Sequence, residues 1–151
     1  MKTRTFAMLT GAVLIACFSL HATEDRLINA AQRGSLKEVQ KYIYEGISQE
    51  TSDKSGRSLI MIAAAFGRMD IVEYLITNSA NVNKMDYKGN TLLHILADIP
   101  YPKAVQGMQS AIRAGANVYV KNYDGQSPAV RAINAGNTAG EREEPNGPDG
   151  N

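Results

Sequence analysis

Apolar residues in the middle of the chain recur at helical spacing. The pattern over Ser58–Phe66 predicts one helix, and Gly67 favours its end because glycine tolerates the left-handed conformation. A second apolar stripe predicts another helix over Met69–Thr77, where Asp70 suits the positive end of the helix dipole. This segment is therefore predicted to be a helix pair, with apolar positions at Leu59, Ile60, Ile62, Ala63, Phe66, Ile71, Val72, Leu75 and Ile76.

The pattern returns along the chain at a fixed period. Ala30 recurs as Ala63, and Gly34 recurs as Gly67, both after 33 residues. A unit of this length is too small to bury its own apolar face, so the repetition predicts a stacked array of units. The units are expected to be joined by tight turns, which contain Gly56, Gly89 and Gly125.

The quoted residues resemble the ankyrin repeat. Residues 53–67 read DKSGRSLIMIAAAFG and residues 71–83 read IVEYLITNSANVN. The ankyrin consensus reads D-x-x-G-x-T-P-L-H-x-A-A-x-x-G and then I-V-x-x-L-L-x-x-G-A-x-V-N. The resemblance covers about residues 24–137, and it implies an all-α ankyrin-repeat solenoid over residues 23–137. About three and a half helix-turn-helix units with finger-like turns are expected.

The units depart from the consensus in identifiable places. In residues 86–121 the period lengthens by three near 99–102, which predicts an enlarged corner between the two helices. Ser79 stands where the consensus has glycine, and a side chain in a left-handed turn costs ~1 kcal/mol. Residues 122–137 start a fourth unit but stop before a second helix.

The incomplete fourth unit affects how well the carboxy-terminal end of the array is covered. It is expected to cover the preceding unit only partly, at Val105, Met108 and Ile112. Since arrays normally need a polar terminal cap, this predicts weak self-association at the carboxy-terminal repeat. Residues 138–151 are rich in proline, glycine and acidic side chains, and they are predicted to form a disordered tail.

The amino-terminal residues predict export. Lys2 and Arg4 precede an uncharged stretch, Phe6–Leu20, of 15 residues, shorter than the ~20 that span a bilayer. A basic start followed by a short apolar segment and small residues is typical of a signal peptide, here predicted over residues 1–22. The protein is thus expected to be periplasmic or secreted, and of bacterial origin. No later segment is long and apolar enough to be predicted as a transmembrane helix.

The single cysteine leaves a second localisation of the protein open. Leu14–Cys17 is similar to the lipobox of bacterial lipoproteins, so the alternative is a lipid anchor acylated at Cys17. Soluble export would remove Lys2 and Arg4, leaving 14 of the 16 basic residues against 15 acidic ones, a net charge of −1.

Composition and motifs exclude several classes of function. A net charge of +1 without basic runs gives no electrostatic case for nucleic acid. One cysteine excludes a disulfide framework and a cysteine-based zinc site, and the phosphate-loop, nucleophile-turn and zinc-protease motifs are absent from the sequence. Asn81, Asn83 and Asp86 faintly resemble a calcium loop, but Leu92 stands where a bidentate glutamate belongs. We expect no enzyme activity, no cofactor and no metal.

The ankyrin resemblance assigns roles to particular residues. It implies that His94 braces a neighbouring turn, and that the turns and first helices form a concave face for a protein partner. The predicted partner-binding residues are Lys54, Ser55, Arg57, Phe66, Tyr87, Lys88, Asn90, Asp98, Ile99, Tyr123, Asp124 and Gln126. Tyrosine and arginine are frequent anchors of protein interfaces. The expected function is a non-catalytic protein-protein interaction module that binds a periplasmic or secreted protein. The alternative is an accessory subunit of an envelope enzyme.

Overall fold

The computed structural model describes residues 22–100 and 102–137. Within that part the chain forms seven helices and no strand, which confirms the predicted all-α repeat architecture. Cys17, nearly all of the predicted signal peptide and the predicted tail lie outside the described residues. The helices are α1 (22–33), α2 (Leu36–Tyr44), α3 (Leu59–Ala65), α4 (Met69–Thr77), α5 (Leu92–Ala97), α6 (Lys103–Arg113) and α7 (Pro128–Asn134).

The helix pair predicted in the middle of the chain is confirmed almost residue for residue. The first helix, α3, is flanked by Ser58 and Phe66, and the second, α4, has the predicted bounds. Gly67 adopts φ 68°, and its N–H donates to the Ala64 carbonyl. The glycine thus closes α3 in the left-handed conformation that favours glycine.

First helices stack on first helices and second helices on second helices. α3 packs against α5 and α5 against α7, while α4 packs against α6. Small residues let the first helices approach closely, because Ala63, Ala64 and Ala97 are fully buried. The space between the stacked helices is filled by larger apolar side chains of the core, among them Leu27, Val39, Leu59, Ile71, Leu75, Leu92 and Leu96.

The third unit accommodates its three additional residues in the corner and in the second helix, while its first helix, α5, is one residue shorter than α3. Five residues, 98–102, separate α5 from α6, against three between α3 and α4. This confirms the enlarged corner, but α6 is also longer, with 11 residues against nine in α4. A Cβ atom on Gly107 of α6 would lie 3.0 Å from Leu96 Cδ2 and from Met69 Sδ, so glycine permits close packing of the longer helix.

The turns after the second helices also follow the prediction. Ser79 has φ 63° and is the sole non-glycine residue with positive φ in the described part of the chain. The matching turns of the first and third units hold Gly46 and Gly115, both with positive φ. The second unit therefore carries a strained residue where its neighbours have glycine.

Candidate functional site

Three tight turns lie before the helices α3, α5 and α7. We call residues 53–57, 86–90 and 122–126 the first, second and third finger turns. In each, the side chain of the first residue accepts hydrogen bonds from backbone N–H groups two and four residues later. The distances are 2.8–3.1 Å for Asp53, Asp86 and Asn122. These side-chain bonds stabilise the shape of each turn locally.

Neighbouring finger turns are also bonded to each other. The Tyr87 N–H donates to the Ser55 carbonyl at 3.1 Å, and the Tyr123 N–H donates to the Lys88 carbonyl at 3.0 Å. Asn122 Nδ2 adds a bond to Asn90 Oδ1 at 3.0 Å, between two buried side chains. The three turns therefore form one continuous edge rather than separate loops.

The tyrosine rings of the second and third turns cover glycines of the preceding turn. A Cβ atom on Gly56 would lie 2.6 Å from Tyr87 Cδ1, and one on Gly89 would lie 2.8 Å from Tyr123 Cδ1. Both glycines also have positive φ. One side of each ring is thus packed on a turn, while the residues as a whole stay about three-quarters exposed.

His94 has the bracing role that the resemblance implies. The imidazole is fully buried, and its Nδ1 accepts a hydrogen bond from the Thr91 N–H at 3.1 Å. This leaves the proton on Nε2, which donates to the Gln126 carbonyl at 3.0 Å. Because both ring nitrogens are bonded inside the fold, His94 is not placed to act as a general base.

A groove of about 740 Å³ lies between the finger turns and the first helices. Eight of the predicted partner-binding residues line it, namely Lys54, Ser55, Arg57, Tyr87, Lys88, Asn90, Asp98 and Ile99. Phe66 lines an adjoining hollow of about 560 Å³, which shares Ala65, Asp98 and Ile99 with the groove. The third-turn residues Tyr123, Asp124 and Gln126 line neither space.

Asn90 differs from the other predicted residues. It is only 4% exposed, and its side chain donates to Asp86, at 3.0 Å, and accepts from Asn122 and Arg131. Although Asn90 lines the groove, its amide is already bonded within its own turn and by two side chains of the following unit. The structure thus places it inside the network that supports the turns.

Arg131 is a groove residue that sequence reasoning missed. Its guanidinium donates two hydrogen bonds to Asp98, both at 2.7 Å, and a third to Asn90 at 2.8 Å. The hydrogen bonds with Asp98 raise the pKa of Arg131, against the opposing effect of partial burial. Arg131 occupies the repeat position of the half-buried Ile95, so the apolar pattern gave no signal for a charge there.

Several charged side chains at the groove are paired with a charged neighbour. Arg57 is paired with Asp53 at 2.8 Å, and Asp98 is paired with Arg131, so these charges are held in fixed positions. Over residues 22–100 and 102–137, no cluster of three or more metal-ligating side chains occurs, and no helix is long and apolar enough to span a membrane. The groove therefore offers a preformed surface of mixed polarity.

Comparisons with known proteins agree with this architecture. A family model described as ankyrin repeats, in three copies, matches residues 27–106, just over half of the chain. The chain is 23% identical to the inactive serine/threonine-protein kinase TEX14 of Mus musculus over 124 residues, which cover 82% of this chain and 8% of that protein. It is 34% identical to NF-kappa-B inhibitor zeta of Bos taurus over 92 residues, which cover 58% of this chain and 13% of that protein. The chain thus spans a small fraction of the length of these relatives.

Proposed function

The chain belongs to the ankyrin-repeat family, and we propose that it is an exported, non-catalytic module that binds a periplasmic or secreted protein. Ankyrin repeats indicate protein-protein interaction in general, and the name of the Bos taurus relative describes an inhibitor of another protein. The finger turns and the concave face of the first helices would form the contact surface.

The observation that carries this proposal is the groove itself. Its walls are fixed by hydrogen bonds within and between the finger turns, before any partner arrives. A preformed surface loses little ordering entropy on binding, so more of the contact energy appears as affinity. Tyr87 adds an exposed aromatic ring at the rim, the type of side chain that often dominates interface energies.

A groove-filling variant tests the proposal. Ala65 is exposed at the end of α3 and lines both the groove and the adjoining hollow. We expect Ala65→Trp to abolish capture of the envelope protein that the immobilised wild-type chain retains. Ala114→Trp, at an exposed residue that follows α6, is the matched control and should preserve capture. Equal capture by both variants would contradict binding in the groove.

Export is supported by Lys2, Arg4 and the uncharged stretch that follows them. Expression in a bacterial host, followed by cell fractionation and mass spectrometry of the amino terminus, tests it. A terminus at Thr23 in the periplasm or medium is the expected result. An acylated Cys17 would replace soluble export with a lipid anchor, and an uncleaved chain in the cytoplasm would refute export.

The same family scaffold supports weak self-association as a second interaction. Ile112, Val130 and Ile133 are 51%, 45% and 62% exposed, and Ile133 occupies the repeat position of the fully buried Ala97. These are apolar side chains at repeat positions that a following unit would cover. We expect a concentration-dependent dimer by sedimentation velocity, weakened by Ile133→Lys. A wild-type protein that stays monomeric at millimolar concentration would refute it.

A further inference from the structure

The carboxylates at the groove are all bonded to donors of the protein itself. Asp86 Oδ1 accepts from the N–H groups of Lys88 and Asn90, both at 2.8 Å, and its Oδ2 accepts from the Asn90 side chain at 3.0 Å. Asp98 accepts two bonds from Arg131. Because Asp98 is neutralised by its ion pair with Arg131 and Asp86 is buried among its donors, these carboxylates attract a cationic partner only weakly.

Two lysine side chains at the rim differ from these carboxylates in their bonding. Lys54 in the first finger turn and Lys88 in the second are exposed and line the same groove. Among the residues that the structure describes, neither ammonium group has a hydrogen bond or an ion pair. The rim therefore presents a surplus of charged donors along two successive turns.

The floor of the groove is apolar between these polar features. Ile95 and Ile99 are half-buried on and just after α5, and the exposed Ala65 lies at the end of α3. An occupant must place acceptors against the rim and apolar groups against the floor. In an extended peptide, successive side chains point to opposite sides, so alternating acidic and apolar residues satisfy both at once.

We propose that the groove binds an extended acidic segment of the partner protein, with carboxylates on Lys54 and Lys88 and apolar side chains on Ile95 and Ile99. This inference rests on the proposed function and specifies the chemistry of its partner. A nucleic acid suits the groove less well, because binding to phosphates draws on many cations at once, and both arginines at the groove, Arg57 and Arg131, are already paired with carboxylates.

The test uses the full chain and labelled peptides in fluorescence anisotropy titrations. One peptide alternates glutamate with leucine, and two matched peptides carry glutamine or lysine in place of glutamate. We expect the glutamate peptide to bind at least about tenfold more tightly than the glutamine and lysine peptides. Its affinity should be lower at high salt than at low salt. The double variant K54E/K88E should lose about tenfold or more in affinity for it, since like charges repel across an interface.

A charge reversal elsewhere controls for the overall field of the protein. Lys37 and Arg113 are exposed on the second helices α2 and α6, and the double variant K37E/R113E, which changes the net charge as much as K54E/K88E, should change the affinity by less than about twofold. Circular dichroism spectra establish that all variants fold. Equal affinity for the glutamate and glutamine peptides, no binding of any peptide, or no effect of K54E/K88E would each overturn the proposal. Stronger binding of a single-stranded oligonucleotide than of the glutamate peptide would overturn it in favour of nucleic acid.

These outcomes are separate from those of the proposed function. If Ala65→Trp abolishes partner capture while K54E/K88E does not, the groove binds a protein whose segment is not acidic. If Ala65→Trp leaves capture intact, the groove is not the binding surface, whatever the peptides show.

Discussion

The second unit carries a polar defect that a single substitution should repair. The Ser58 hydroxyl is buried without a hydrogen-bond partner. In the third unit the equivalent residue, Thr91, is bonded to His94, whereas the second unit has the fully buried Met61 at the histidine position. We therefore expect Met61→His to supply the missing partner and to raise the free energy of unfolding.

The magnitude follows from the bonds that His94 makes. By analogy with His94, an imidazole at position 61 would accept a hydrogen bond from the Ser58 hydroxyl. It would donate a second hydrogen bond to the Asn90 carbonyl, as His94 donates to the Gln126 carbonyl. Each net hydrogen bond contributes ~0.5–1.5 kcal/mol, and the unbonded hydroxyl now costs ~1–3 kcal/mol. Replacing the methionine side chain forfeits part of its ~1.5–3 kcal/mol of burial. The balance is a stabilisation of about 1 kcal/mol.

A double-mutant cycle with Ser58→Ala separates this mechanism from simple repacking. Urea unfolding followed by far-ultraviolet circular dichroism gives the free energies. In the wild type, Ser58→Ala should be neutral or stabilising, because it removes an unbonded hydroxyl. In the Met61→His background it should cost about 1 kcal/mol, since it now removes a hydrogen bond. The same effect of Ser58→Ala in both backgrounds would refute the reasoning.

Five further substitutions, grouped in three tests, probe the register and the turns. Leu75→Ala removes a fully buried side chain and should cost ~2–5 kcal/mol, and an unchanged melting temperature would contradict the stacking described. Ser79→Gly should gain about 0.5–1 kcal/mol in urea unfolding by relieving the positive φ, whereas Gly115→Ser should lose about as much. Gly89→Ala should cost about 3 kcal/mol, because the new methyl group would meet the Tyr123 ring, while Gly125→Ala, with open space around it, should cost about 1–2 kcal/mol. Equal losses for the two alanine variants would show that ring packing contributes nothing.

The sequence was sufficient for the features that depend on local pattern. The spacing of apolar residues predicted the bounds of α4, and Gly67 predicted the corner that follows α3. The strain at Ser79 was predicted because a single unit departs from the others at a position where backbone conformation is dictated by the turn. Each of these is decided within one repeat.

The features that the sequence did not predict join residues from different units. Arg131 meets Asp98 and Asn90 across 33 and 41 positions, and nothing in the local pattern around any of the three indicates that contact. The burial of Asn90 has the same origin, because its amide is covered by bonds from the following turn and from α7. Consensus positions thus located the groove, but they could not tell its free side chains from those already bonded.

That distinction matters most for the fourth unit, which has a single helix in the described part of the chain. Polar contacts hold it to the third unit, including His94 to Gln126, Arg131 to Asp98 and Asn137 Nδ2 to the Ala97 carbonyl at 2.7 Å. One of these contacts, between Arg131 and Asp98, also forms part of the groove. A ligand that binds only when this pair is in place stabilises the docked position of α7, since it binds the docked state and not the undocked one. Partner binding and the order of the incomplete repeat are thermodynamically linked.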